Sequence, residues 1–290
     1  MHRLIHLTRI IGLVSVVVAL SACSAIKLGY NSLPQVSAWW LDRYLDFSDG
    51  QRQRVREDLE RLQQWHRRQA LPQLAALLQQ LERLVPDQTS ADAVCALVPA
   101  LRQHVVSLAE QAEPAAVTLA LGLGSRQLEH LKRKYARNNA DYREEWARLS
   151  PAELREKRFK QYVERMEMIY GPLGEQQREI VRNQVQHTVF DVQLTLLDRQ
   201  RRQQDMLQTL ESLAGQPVLL GQARSAIHRL IATALESPNP QYRAYQESMI
   251  QESCRNLAAL HNSTTQPQRR TAVRNLRAYQ RDLEELAAQP

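Results

Sequence analysis

Apolar residues recur every three to four positions along most of this chain, the period of a helix with one face against a core. Val55, Leu59, Leu62 and His66 make the first series, and Ser48 with Gln51 three residues on sets capping-box spacing ahead of it. Leu71-Pro72 interrupts this series, because proline removes a backbone donor and clashes with the preceding turn. Periodicity resumes at Leu74, Leu77, Leu78, Leu81 and Leu84 and stops at Pro86-Asp87, which predicts a bent helical arm. Thr89 or Ser90 caps the next helix, whose face is Val94, Leu97, Leu101, Val105 and Leu108, and Pro114 opens a separate Ala-rich segment.

The second half follows the same rule. Residues 126–165 are the most charged stretch, stitched by Leu128, Leu131, Tyr135, Tyr142, Trp146 and Leu149. Ser150-Pro151-Ala152-Glu153 is a further capping box, with proline where its missing N–H costs nothing. Phe159, Tyr162, Val163, Met166 and Ile169 define a helix that ends at Tyr170-Gly171-Pro172. Val181, Val185, Val189, Val192 and Leu196 predict the longest helix, starting near Glu175 and continuing past a polar stretch to Leu213, with Asp191 and His187 as a four-residue pair along it. Three more helices are expected over about 218–236, 241–261 and 265–288. Gly122-Leu123-Gly124 has neither a preceding strand nor the later Gly and Lys of a phosphate loop, so it reads as a helix junction. The expected fold is all-α, a multi-helix bundle of long, partly kinked antiparallel helices.

The N-terminus departs from this pattern. Arg3 and Arg9 flank a short apolar run from Ile10 to Leu20, and Leu20-Ser21-Ala22-Cys23 places small residues before a cysteine. This is the arrangement of a bacterial lipoprotein signal, with cleavage before Cys23 and lipid on its sulfur; a plain secretory signal or an uncleaved anchor is the competing reading. The run is shorter than the roughly 20 apolar residues of a membrane-spanning helix, so the expected attachment is the lipid. The domain plan is therefore a signal peptide over 1–22, the lipidated cysteine and a short tether over 23–36 (Gly29, Asn31, Ser32, Pro34), and a helical domain over 37–290, as one body or as two lobes divided near 171–174. Ser24 after the cysteine, rather than Asp, resembles the sorting pattern of outer-membrane lipoproteins, which implies a cell-envelope location facing the periplasm. Trp39, Trp40, Tyr44 and Phe47 follow the tether; Trp40, Tyr44 and Phe47 share a helical face, the spacing of core packing, with contact to a membrane interface as the alternative.

Composition agrees with a folded helical chain. The sequence is 43% hydrophobic and 24% charged with nine glycines, which excludes a disordered tail as the whole protein. Loss of residues 1–22 removes Arg3 and Arg9 and no acid, taking the formal charge from +7 to +5. Basic and acidic residues alternate, so the excess does not point to nucleic acid; acidic lipid headgroups are the plausible anions for an envelope protein, and solvated helix faces are the plainer reading. With Cys23 lipidated, Cys95 and Cys254 form the one possible intramolecular pair, either a disulfide in an oxidising compartment or two buried thiols. A bridge there closes a loop of roughly 160 residues and is worth about 4 kcal/mol on chain-entropy grounds.

Candidate chemistry is sparse. The eight histidines are scattered without metal-ligand spacing, and no nucleophile elbow, zincin motif or phosphate-cradling loop is present in the sequence. No catalytic residue, cofactor or metal is expected. The Arg199, Arg201 and Arg202 cluster is a candidate contact for an anion or a partner carboxylate, or a solvated helix face.

Two resemblances add to this. The lipobox followed by Tyr30-Asn31, Trp39 to Tyr44, Gln51 and Trp65-His66-Arg67 before Leu71-Pro72 resembles an uncharacterised family of proteobacterial helical envelope lipoproteins, which implies a fold and a location but no activity. Phe47-Ser48-Asp49-Gly50-Gln51-Arg52 and Leu173-Gly174-Glu175-Gln176-Gln177-Arg178 are similar to the Leu-Thr-x-x-Gln helix starts of periplasmic stress-adaptor chaperones, basic helical cradles for misfolded clients, although neither has Leu followed by Thr. The expected function is a non-enzymatic helical module that binds or scaffolds an envelope protein; a client-binding cradle is the alternative, and a lipid- or cell-wall-active enzyme a further one.

Overall fold

The computed structural model describes residues 26–215 and 218–289. Cys23, the expected lipidation site, and the expected signal segment lie outside the described residues. Twelve α-helices follow a short helical stretch at 26–31, and no strand occurs among the described residues. They are α1 (Leu33–Leu45), α2 (Asp49–Trp65), α3 (Leu71–Leu84), α4 (Ala91–Cys95), α5 (Val98–Leu121) and α6 (Ser125–Tyr142), then α7 (Pro151–Tyr170), α8 (Glu175–Gln186), α9 (Val192–Leu213), α10 (Leu220–Leu235), α11 (Pro240–Asn262) and α12 (Gln266–Ala287). The all-α bundle expected from periodicity is the fold found.

Two apolar cores hold the bundle. The first gathers Ala38, Leu45, Phe47 and Val55 with Val117, Ala120, Leu128, Leu131, Leu210, Leu213, Ile227 and Leu230, from α1, α2, the end of α5, α6, the end of α9 and α10. The second joins Val163, Leu173, Val181, Val185 and Leu260 and continues through Val85, Tyr170 and Ala272, from α3, α7, α8, α11 and α12. Among the described residues, the buried members of both cores all lie beyond residue 37. The cores are not consecutive segments. The α2–α3 arm runs from the first core toward the second through a widened turn at His66–Ala70. That turn closes with Leu71 N–H on the His66 carbonyl and lets the rod pass into Pro72, which has no N–H to offer.

The helix starts are built alike. At Ser48, Gly124, Gly174 and Thr265 the residue before the start is buried (Phe47, Leu123, Leu173, Thr264), and a glutamine three residues into the helix accepts the N–H at the start: Gln51 3.0 Å, Gln127 3.0 Å, Gln177 2.9 Å, Gln268 2.9 Å. These glutamines meet in two reciprocal pairs. Gln127 donates to Gln51 Oε1 (2.9 Å) and to the Leu45 carbonyl (2.9 Å), while Gln51 donates to the Gly122 carbonyl (2.7 Å). In the second core Gln177 donates to Gln268 Oε1 (2.8 Å) and the Ser263 carbonyl (3.1 Å), and Gln268 to the Pro172 carbonyl (2.9 Å). Each pair thus satisfies orphan donors of two helices and carbonyls of two loops at one buried joint.

Several expected boundaries are corrected. The tether over 23–36 is helical from residue 26, where the Ser32 hydroxyl donates to the Leu28 carbonyl (2.7 Å) and Pro34 sits in the first turn of α1. The helix expected from Ser90 to Leu108 breaks after Cys95 and restarts at Val98 with Pro99 in its first turn. Pro114 opens no new segment; α5 runs through it. The long helix from Glu175 is two, because Asp191 caps α9 by accepting from Gln193 N–H (2.7 Å) and Leu194 N–H (3.0 Å). His187 bonds the Asn183 carbonyl (2.9 Å), so the His187–Asp191 helical pair does not form. Trp39 and Trp40 are 58% and 52% exposed, whereas Phe47 is buried, so the expected core face is split by the left-handed turn at Asp46 (φ 48°).

Replacing Gln127 by Leu should cost about 1–3 kcal/mol, because it strips the Leu45 and Asp46 carbonyls and the Gln51 amide of their buried partner. Urea denaturation should show a lower midpoint at unchanged slope. Adding Gln51→Leu should cost less than the sum of the single changes, and additivity within about 0.5 kcal/mol would contradict the paired arrangement.

Candidate functional site

α3 lies antiparallel along α12, fixed by Arg277 on Glu82 (2.7 Å) near its end and by Arg269 on the Pro86 carbonyl (2.7 Å) just beyond it. α4 lies on α11, where Cys95 and Cys254 are joined with Cα atoms 5.5 Å apart. These fastenings hold α3 and the α4–α5 segment apart above α11 and leave an apolar cleft of about 630 Å³ between them, within the 300–1,000 Å³ span of about one small-ligand site. One wall is Leu74, Leu78, Leu81 and Leu84 of α3; the other is Val94, Leu97, Val98 and Leu101; the floor is Met249, Ile250 and Leu257.

The ends of the cleft differ. At one, Tyr170 and His261 close it. His261 Nε2 faces the Asp87 carbonyl at 2.8 Å, which can only accept, so Nε2 carries the proton and Nδ1 accepts from the Tyr170 hydroxyl at 2.9 Å. Burial pushes the His261 pKa down, and it drives the Tyr170 phenol up to about 12. Asn262 pins the adjoining loop by exchanging two bonds with the Thr89 backbone (2.8 and 2.9 Å). The other end, toward Leu101 and Leu283, adjoins the start of the described chain: Lys27 pairs with Asp282 and Glu285, and Tyr30 Oη lies 3.0 Å from His66 Nδ1. His66 stacks edge-on with His104 (5.3 Å), and its pKa is lowered by burial first and by His104 second.

The sequence-predicted residues are placed separately. Cys95 and Cys254 lie together behind the cleft. Arg199, Arg201 and Arg202 do not form an open anion site. Arg201 is engaged by Asp198 (2.9 Å) and Asp205 (2.6 Å), Arg202 by Asp198 (2.9 Å), and Arg199 donates to Asn139 (3.2 Å) beside the Tyr142 ring. A second charged cluster joins α5 to α10: the Glu113 carboxylate receives His228 Nδ1 (2.8 Å) and Arg224 Nε (3.2 Å), which hold its pKa below the usual range. It faces an open, shallow hollow and anchors the helix through the position before Pro114. Among the described residues, no group of three or more His, Cys, Asp or Glu side chains is placed to hold a metal ion, and no helix is long and apolar enough to cross a membrane.

The cleft residues appear in the sequence only as helix stripes. What could have marked them is the width of the α3 pattern: Leu71, Ala75 and Leu77 are buried while Leu74, Leu78 and Leu81 are half-buried and line the cleft, more apolar arc than one packing partner covers.

Fold and site together define an all-helical protein with an apolar cleft stapled by a cysteine pair. The chain belongs to a family of unknown function, DUF6279, whose family model matches residues 43–220. No curated protein and no solved structure matches it.

Two histidines with lowered pKa values, buried His261 and half-buried His66, make stability depend on pH. His66 and His261 have lowered pKa values in the fold, so between those values and about 6.5 the unfolded chain binds more protons and unfolding free energy rises with pH. Urea denaturation should therefore give a lower midpoint at about pH 5 than at about pH 7.5, spanning the ordinary histidine value. The difference should shrink in His261→Gln, and an equal slope in that variant would remove His261 as a source.

Proposed function

We propose that this chain is a non-enzymatic, lipid-anchored binding module of the cell envelope, which receives an apolar helical segment of a partner protein in the cleft between α3, α4–α5 and α11. α3, α4, α5 and α11 border a gap that no other described helix fills, and an amphipathic helix presenting residues at positions i, i+3, i+4 and i+7 is the shape that fills such a groove. The observation that carries this reading is the lining itself, an apolar concavity of about 630 Å³ kept open by the fastenings at both sides. Lipidation of Cys23 and an outer-membrane location facing the periplasm belong to the same reading and rest on the lipobox. The absence of enzymatic activity rests on the lack of a catalytic motif in the sequence.

A client-binding cradle is the second reading, and a specific observation favours it. The two helix starts similar to those of stress-adaptor chaperones are joined by two more of the same construction, at Gly124 and Thr265. The two readings separate by selectivity.

Photo-crosslinking probes at Leu78 and Leu257 in the full lipoprotein should capture one or two dominant envelope proteins, and Leu101→Arg should reduce their yield at least tenfold. A broad smear of unfolded clients, together with suppression of aggregation by the purified chain from Ser24, would move the cradle to first place. Capture of neither a discrete partner nor unfolded clients at these probes would refute binding in the cleft.

A further inference from the structure

α1 is apolar on two opposite sides. Pro34, Ala38 and Leu45 are buried, with Leu41 half-buried beside them. Leu33, Val36, Trp39 and Trp40 are 46%, 53%, 58% and 52% exposed, and at 3.6 residues per turn they fall within an arc of about 120° on the far side of the helix. A helix apolar all round is ordinarily covered all round, and large exposed patches mark interaction surfaces.

The composition and surroundings of this ridge identify what covers it. Tryptophan is the residue of membrane–water interfaces, because its ring is apolar and its indole N–H is not. Arg43 lies inside the same arc with its guanidinium 5.0 Å over the Trp39 ring, an interleaving of cation and indole suited to the phosphate level of a bilayer. α6 flanks α1 with further positive charge: His130 donates to the Arg43 carbonyl (3.2 Å), Lys134 lies over the Tyr44 ring (5.4 Å), and Arg133 and Arg137 are exposed. The ridge also begins ten residues after Cys23.

We infer that the outer face of α1 is a membrane-docking surface: Leu33, Val36, Trp39 and Trp40 sit in the headgroup region of an anionic bilayer, with Arg43 and the basic residues of α6 on its phosphates. A lipid at Cys23, where present, delivers this face to the bilayer, and the contact of α1 does not depend on it. Docking through α1 converts a point tether into a fixed orientation of the body.

The test uses the chain from Ser24 without lipid, which keeps every described residue of both cores. Vesicles of phosphatidylethanolamine with phosphatidylglycerol should carry it in flotation, and neutral phosphatidylcholine vesicles should carry less. Trp39→Ser with Trp40→Ser should weaken partition at least tenfold at an unchanged circular dichroism spectrum, and Arg133→Glu with Arg137→Glu should remove the preference for anionic lipid. Brominated lipid should quench the tryptophan emission of the parent chain but not that of a Trp39→Phe, Trp40→Phe variant. Failure of the lipid-free chain to float on anionic vesicles, or equal flotation of the Trp→Ser variant, would overturn the inference. A concentration-dependent dimer abolished by the same tryptophan substitutions would overturn it too, by assigning the face to a second copy. Failure of radiolabelled palmitate to enter the full chain would bear only on the lipid at Cys23.

Discussion

A chain that is almost all helix must find partners for the orphan N–H and C=O groups at every helix end, and it must do so most strictly where the ends are buried at joints. Here the paired glutamine amides meet that requirement. Gln127 with Gln51, and Gln177 with Gln268, each close a helix start from within and then bond across to the neighbouring start and to a loop carbonyl. The residue just ahead of each start, apolar in three of the four and Thr264 in the last, is buried at the same joint, so polar satisfaction and packing are fixed at one point. Removing either amide unsatisfies two helices at once, which is why the same solution recurs in both cores.

Fastening at the ends leaves the middle free. α3 is tied to α12 near its end and through the loop that follows, α4 to α11 by the cysteine pair, and the connecting loop by His261 and Asn262. None of these contacts crosses the gap above Met249 and Leu257. Helices joined only by apolar packing would close such a space to recover dispersion contacts and hydrophobic burial, worth about 25 cal/mol per Å². The fastenings resist that collapse, so an apolar surface stays open on one side of the body while the outer face of α1 presents a second one elsewhere. An apolar cleft and a separate apolar face are the parts that the proposed tethered binding module requires.

Much of this was legible in the residues. Ser48, Ser150, Asn239 and Thr265 mark helix starts because their side chains accept from the first turn, and Gly171 marks an end with φ of 77°. Sequence reasoning failed where apolar period and capping disagreed. Val189 continues the series of Val181 and Val185 but is exposed in a loop, and Asp191 was the better signal. Pro114 reads as a breaker, yet Glu113 anchors that turn to Arg224 and His228 across a sequence distance that no local pattern reports. The arginines at 199–202 carried their own answer, since Asp198 and Asp205 lie at helical spacing from Arg201 and engage it. The cleft was not legible, because a leucine stripe states that a face is apolar and not whether a neighbour covers it. The exposure of Trp39 and Trp40 was hidden for the same reason.

Native mass spectrometry of the full chain, released gently from membranes, tests the central claim most directly: that the cleft is a surface meant to be occupied. The account predicts a protein mass of discrete stoichiometry accompanying the chain and absent from Leu78→Arg. The bare chain alone, in both the parent and the variant, would contradict it.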